Sequence, residues 1–298
     1  MNKSTSQQVN KYPVVYDLSA RVILKLNRIY LKLLRGREKK RYQYNLCLTA
    51  IFRDEDVYLK EWIEYYKMLG VDHFYLYDHI SCDSYRKVLS PYIEDGTVTL
   101  KTIKTNIYPQ VHVYTQAIRK YRYKTKYMMF VDIDEFVVPV KSDSIVESVE
   151  SIFDNDSRVG AVGINWLCYG SSGYKTRPDG LVIESYLNRA KDDFTNNKHV
   201  KTICNPRRVA LQDIHVSLLY PEYYEVNEEG NPFTGPFNYG CHYSKLRINH
   251  YSCKSEEEES RRYAKGFGNS SLKHYAPDVN EVHDDIMMKY VPALKEKM

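Results

Sequence analysis

The sequence predicts an α/β fold in which a mostly parallel sheet carries helices on both faces. Short apolar runs at residues 46–52, 72–78 and 97–103 alternate with stretches of helical periodicity. Each run ends in polar or charged residues, and a further run, residues 127–136, carries three carboxylates at its C-terminal end. Strands alternating with helices pair in parallel, so their C-terminal ends share one edge, where open α/β sheets place ligands.

Residues 1–16 are polar and without periodicity. Between Asp17 and Arg35, Val22, Ile23, Leu26, Ile29, Tyr30, Leu33 and Leu34 recur at helical spacing, opposite Arg21, Lys25, Arg28, Lys32 and Arg35. This pattern is a basic amphipathic helix, which either packs on the main domain with a solvated cationic face or docks on an anionic membrane leaflet. Residues 36–41 read as a charged linker. The chain thus divides into an N-terminal helix and linker (1–42), a main domain (43–266) and a C-terminal tail (267–298).

Within the main domain, residues 46–52 form the first buried strand. Asp54 is positioned to cap the helix that follows, whose stripe is Tyr58, Trp62, Tyr65 and Leu69 and whose stop is Gly70. Residues 72–78 form a second strand closing on Asp78, and residues 97–103 a third after the Asp95-Gly96 turn. Near the end, Ser255 and Glu258 form a capping box. Glu257 with Arg261 and Glu258 with Arg262 are spaced for i,i+4 pairs, and Gly266 ends that helix.

The candidate centre is Val131-Asp132-Ile133-Asp134-Glu135-Phe136. On an extended backbone Asp132 and Asp134 point the same way, so both reach one hard, oxygen-seeking cation or the water around it. An Asp-x-Asp at a strand end is also a common solvated turn. Arg53, Glu55 and Asp78 sit at the same edge. Arg53 is suited to neutralise phosphate, and Asp78 to accept hydrogen bonds from a base imide or a ribose hydroxyl.

Composition narrows the function classes. A 43% hydrophobic content excludes wholesale disorder, and a net charge of +5 suits an anionic ligand or membrane surface but not nucleic acid. The six cysteines (Cys47, Cys82, Cys168, Cys204, Cys241, Cys253) show no CxxC spacing. They read as reduced thiols of a cytoplasmic protein. No run approaches the ~20 apolar residues of a membrane span, and Met1-Asn2-Lys3-Ser4 opens no signal-peptide apolar region. The expectation is a cytoplasmic protein, soluble or peripheral at the inner membrane face. No Gly-x-Gly-x-x-Gly or Walker-type loop is present, which argues against dinucleotide and P-loop chemistry.

Residues 53–66 with residues 69–78 resemble the opening of the family-92 type glycosyltransferases and their bacterial family-2 relatives. Val131-Asp132-Ile133-Asp134-Glu135-Phe136 is similar to their metal motif. The likeness continues through residues 166–173 and 201–206 and closes with Arg247-Ile248-Asn249-His250-Tyr251, Lys254-Ser255 and the acidic helix. Asp54 stands where the family usually has Asn, and Tyr66 where it usually has His.

The resemblance implies a GT-A type fold and a hexosyltransferase that moves a sugar from a nucleotide-sugar donor, a UDP-sugar, to a glycan or lipid-linked acceptor with inversion. It implies Mn²⁺ or Mg²⁺ on the donor diphosphate, with Asp134 as direct ligand, Asp132 bridging through ribose or water, and His215 or His250 as a further ligand. Trp166 is suited to stack on a sugar face or to fill the core, and Gly173 to let backbone amides approach the sugar. Lys254 is placed to reach donor phosphate. Inversion requires a carboxylate base, for which Asp179, Glu184 and Asp213 are candidates.

Two other classes stay open. One is a non-catalytic carbohydrate-binding or membrane-associated module on the same fold. The other is an Asp-x-Asp phosphatase, which is disfavoured because its motif belongs near the start of the domain, whereas three strand–helix units precede Asp132 here.

Overall fold

A computed structural model describes residues 14–105, 107–264 and 277–298. The first half alternates as expected: α1 (Val14–Leu34), β1 (Tyr44–Phe52), α2 (Asp56–Met68), β2 (His73–Asp78), α3 (Tyr85–Glu94), β3 (Val98–Thr102), α4 (Pro109–Tyr121) and β4 (Thr125–Phe130). β3, β2, β1 and β4 lie side by side in that order, all parallel. Side chains alternate across β1. Leu46, Leu48, Ala50 and Phe52 join a core that includes Leu59, Trp62 and Ile63 of α2, while Cys47 faces the other way, onto Val113, Ala117 and Ile118 of α4. Helices on both faces explain why these strands read as nearly continuous apolar runs.

The second half is mixed. β5 (Glu135–Pro139), α5 (Ile145–Asn155), β6 (Val159–Cys168), the one-turn α6 (Val182–Ser185) and β7 (Asn188–Arg189) follow in order. Then come β8 (Val200–Cys204), β9 (Val209–Gln212), β10 (Ser217–Leu219), β11 (Tyr224–Asn227), β12 (Leu246–His250) and α7 (Glu256–Ala264). The sheet extends from β4 through β8, β6 and β12 to β5, with β11 also on β6, for nine strands in all. β8 is antiparallel to both β4 and β6, and β5 is antiparallel to β12.

Three local expectations are corrected. Residues 127–136 are not one strand: the chain leaves β4 at Phe130, turns through Val131–Asp134 and re-enters as β5 at the far end of the sheet. The Glu135 amide donates to the Asp132 carbonyl at 3.1 Å, and the Trp62 indole donates to the carbonyls of Asp132 and Glu135 at 3.1 and 3.2 Å. Asp54 does not cap α2. It adopts a left-handed backbone (φ 56°) and its carboxylate accepts from the Cys82 amide at 2.7 Å, tying the ends of β1 and β2 together. Residues 277–298, expected as a tail, fold onto the domain. There β13 (Val282–His283) pairs with β7, and Val279, Met287, Val291 and Leu294, the last two from α8 (Val291–Lys295), are buried in the core.

The expected helix 17–35 is α1, and the linker after it is docked rather than loose. Arg207 is buried and donates to Glu38 at 2.8 Å and to the carbonyls of Arg122, Thr125 and Lys126 at 2.6–2.9 Å. Gly36 allows this approach, because a Cβ there would lie 2.5 Å from Arg207 Cγ. The Ser255–Glu258 capping box forms, and Arg261 pairs with Glu257. Gly266 lies outside the described residues. All six cysteines are free thiols.

Candidate functional site

The C-terminal ends of β1 and β2 lie level, with Phe52 opposite Asp78, and β4 ends beside them three residues short, with Phe130 opposite Thr49. Beyond them opens a cleft of ≈ 830 Å³. Arg53, Asp54 and Glu55 line it from the end of β1, His79 from β2, Pro109 and Gln110 from the start of α4, and Asp132 and Asp134 from the turn after β4. Its other wall is Thr176, Arg177, Ser252, Cys253 and Lys254 with Glu257, Glu258, Arg261 and Arg262 of α7. Of the residues singled out in the sequence, Arg53, Glu55, Asp132, Asp134 and Lys254 therefore meet in one place.

The two aspartates face different partners, because they sit on a turn rather than a strand. Asp132 Oδ2 accepts from Lys201 Nζ at 2.7 Å, while Oδ1 accepts from Gln110 Nε2 at 3.1 Å and Tyr114 OH at 3.4 Å. Asp134 Oδ2 lies 3.7 Å from His250 Nε2 and 3.5 Å from Arg262 Nη1. Burial alone would raise the Asp134 carboxyl. The positive potential of His250, Arg262 and Lys254 outweighs it and holds the group well below the usual carboxylate range. Asp134 is thus a firmly ionised carboxylate beside an imidazole.

Lys201 and Glu135 underlie this pair. Lys201 is fully buried. Burial disfavours its charge, but Asp132 and Glu135 beside it more than compensate and raise its pKa. Glu135, also fully buried, sits 3.6 Å from Lys201, accepts the Asp132 amide at 2.8 Å, and is pushed far above the carboxylate range by burial. Sequence reasoning noted Lys201 only within a motif and missed its role. A charged residue inside an otherwise apolar strand, Val200–Cys204, was the available signal. Tyr66, at a position where the family usually has His, accepts from the Val137 amide and donates to the Glu135 carbonyl, both at 2.9 Å. It anchors the turn from beneath.

Lys254 has a left-handed backbone (φ 52°), and its ammonium sits 3.9 Å over the Tyr58 ring and 3.9 Å from Glu55. Strained non-glycine backbone of this kind concentrates at functional sites. Arg262 does not pair with Glu258 as its spacing suggested. It donates to the Ser252 carbonyl at 2.8 Å and leans toward Asp134.

The remaining candidates lie elsewhere. Asp78 is buried, with its oxygens taken by the Ser81 amide and Tyr85 OH, both at 2.8 Å. Trp166 is buried near the end of β6. Its ring centroid lies 4.1 Å from that of His250, 4.8 Å from His199 and 5.4 Å from His215. His215 Nδ1 is bound to the Val200 carbonyl at 2.9 Å, and burial pulls its pKa down to about 4. Gly173 lies in an exposed turn (φ 85°), its amide bonded to Ser171 Oγ.

Asp179 and Glu184 line a second cleft of ≈ 640 Å³ that shares Val57, Tyr58 and Arg177 with the first. Glu184 is engaged there by Lys295 at 2.6 Å and by the Leu181 amide at 2.8 Å. Asp213 caps its own turn through the Ile214 amide at 2.8 Å. No group of three or more metal-ligating His, Cys, Asp or Glu side chains occurs among the described residues.

Comparison with known proteins fits this arrangement. A galactan beta-1,4-galactosyltransferase of Arabidopsis thaliana is 33% identical over 204 residues, covering 63% of this chain and 38% of the relative. A beta-1,4-galactosyltransferase of Caenorhabditis elegans is 26% identical over 234 residues, covering 74% of this chain and 51% of the relative. The chain therefore spans about half or less of these relatives' lengths. Among solved structures, Staphylococcus aureus TarS (residues 1–349) superposes with a TM-score of 0.37 and 10% identity, over 54% of this chain and 47% of TarS. The sequence pattern of glycosyltransferase family 92 matches residues 42–281, and the chain belongs to that family.

Proposed function

We propose that the chain transfers a hexose from a UDP-sugar to a glycan or lipid-linked acceptor, with inversion and with Mn²⁺ or Mg²⁺ at the donor diphosphate. The observation that carries the reading is the ionised Asp134 carboxylate beside His250, in a cleft that also holds Arg53, Lys254 and Arg262. A hard cation of this kind is commonly held by one or two protein groups, with substrate phosphate and water completing its shell, so Asp134 and His250 suffice as protein ligands. Bound there, the ion would stabilise the charge developing on the departing diphosphate. Lys254 and Arg262 add positive charge at the same point, and Arg53 neutralises the nucleotide side. Asp132, held by Lys201, serves as an oriented acceptor for a donor hydroxyl. Asp179, in the adjoining cleft, is the preferred general base among the three carboxylates. The galactosyltransferase relatives make UDP-galactose the first donor to test.

The test is metal-dependent release of UDP. Wild type should hydrolyse a UDP-sugar slowly with Mn²⁺, and Asp134→Ala should lower the rate by roughly 100-fold or more, as when a group stabilising leaving charge is removed. Undiminished release in that variant would sink the metal assignment. Failure to bind any UDP-sugar with any metal would favour a non-catalytic module.

The proposal extends to location. Ile23, Leu26, Tyr30 and Leu33 of α1 are 57%, 60%, 60% and 78% exposed, so α1 presents an apolar stripe to solvent rather than to the domain. Lys25 and Arg28 flank the stripe, and Arg37, Lys40 and Arg41 follow it. Apolar stripe and basic flanks together match an anionic bilayer surface. No described helix is long and apolar enough to cross a membrane.

A further inference from the structure

From Asp134 a succession of rings leads out of the site to the surface. His250 lies against Trp166, and Trp166 stacks on His199 at 4.8 Å and 19°. His199 meets Phe237 edge-on at 4.6 Å, and Phe237 is followed by Tyr239 at 6.5 Å. The outer two rings are 39% and 74% exposed.

The loop that carries them is rigidly held. His199 and Phe237 form a β-bridge, the Asn238 amide donates to the Lys198 carbonyl at 2.8 Å, and the buried Asn238 side chain donates to Asn165 Oδ1 at 2.7 Å while its carbonyl accepts from Asn165 Nδ2 at 3.1 Å. Lys198 Nζ lies 5.2 Å from the Tyr239 ring centroid. Two large rings fixed outward on an anchored loop contribute little to the core and present a paired aromatic face to solvent. At the inner end, Trp166 Nε1 and His250 Nδ1 are buried without a hydrogen-bond partner among the described residues. Leaving such groups unsatisfied is costly, and ligand hydroxyls would satisfy them.

We propose that this strip is the acceptor subsite and that its occupant is a neutral oligosaccharide. Sugar rings would stack on the exposed Tyr239 and Phe237, with the growing end turned toward His199 and Trp166. Apolar faces on aromatic rings, with hydroxyls reaching isolated polar atoms, is the recognition that saccharide chemistry calls for. The assignment deepens the transfer reading and rests on it for the direction in which the chain lies. The strip is aromatic and approaches Asp134 through His250, whereas the charged cleft approaches it from the side of Arg53.

The experiment uses the full chain, UDP-galactose and β-1,4-galacto-oligosaccharides of increasing length. Tyr239→Ala and Phe237→Ala should raise acceptor KM about tenfold for the longer oligosaccharides, and less for the shortest, while donor KM moves by less than about twofold. Tyr239→Phe should restore the wild-type acceptor KM. Equal KM for long acceptors in wild type and the double alanine variant would overturn the proposal. Oligosaccharide binding is also measured without donor by saturation-transfer NMR, over galacto-, gluco- and N-acetylglucosamine series, so a failed transfer reading remains distinguishable. Binding lost in the double variant supports the strip even if no UDP is released. Wild type that binds no oligosaccharide, or that binds a peptide on these rings instead, overturns it.

Discussion

Lys201→Met tests the electrostatic foundation of the site. The substitution keeps the length of the side chain and removes one charge that lies 2.7 Å from Asp132 and 3.6 Å from Glu135. Asp132 is 30% exposed, so water recovers part of its loss, whereas Glu135 has no exposure and burial already pushes its carboxyl toward the neutral form, so the charge left without its partner is that of Asp132. Removing the cation from a charged hydrogen bond whose carboxylate is only partly exposed costs about 3 kcal/mol. At roughly 2–4 °C per kcal/mol for domains of 150–250 residues, the midpoint of thermal unfolding should fall by about 6–12 °C. The reasoning makes a second demand. In the double variant Lys201→Met/Asp132→Asn the carboxylate that lost its partner is gone, so part of the loss should return, with a coupling of about 1–3 kcal/mol. Urea unfolding of the wild type, both single variants and the double variant closes the cycle. A Lys201→Met protein within about 1 kcal/mol of wild type, or strictly additive single variants, would refute the account.

Two further outcomes follow from particular residues. Glu225 is buried, and desolvation pushes its pKa to about 8 although Thr202 Oγ1 donates to it at 3.2 Å. Its folded pKa exceeds the unfolded one, so its contribution is fully present below about pH 4.5 and is lost as pH rises toward 8, at about 1.4 kcal/mol per unit. Glu225→Gln keeps the acceptor oxygen. It should match wild type in unfolding experiments at low pH and exceed it by about 4 kcal/mol near pH 8; an identical pH dependence of the two proteins would contradict this. For α1, Leu26→Glu with Leu33→Glu in the full chain should abolish co-sedimentation with anionic vesicles and leave Tm within about 1 °C, because both side chains are exposed. Equal sedimentation of variant and wild type would dismiss the membrane reading. Truncation is a poorer test if it passes residue 37, since Glu38 is the partner of buried Arg207.

Much of this protein was legible in the chain alone, for identifiable reasons. Burial on both faces makes parallel strands apolar throughout, so β1 and β2 could be bounded within two residues. The basic stripe of α1 and the Ser255–Glu258 capping box are local patterns and were equally readable. The resemblance pointed to the family and to Lys254, and the edge that gathers Arg53, Glu55, Asp132 and Asp134 follows from parallel topology. What sequence could not decide was long-range. The Asp-x-Asp became a turn because Trp62 and Tyr66, some seventy residues earlier, bind its carbonyl and amide groups. Lys201 reached Asp132 because β8 inserts antiparallel between β4 and β6. Asp78 was drawn inward by Tyr85, and the rings from Trp166 to Tyr239 lined up across three separate segments. Periodicity and spacing report a residue's neighbours within a turn or a strand, but the partner of a buried charge is chosen by strand order, which only the tertiary structure sets.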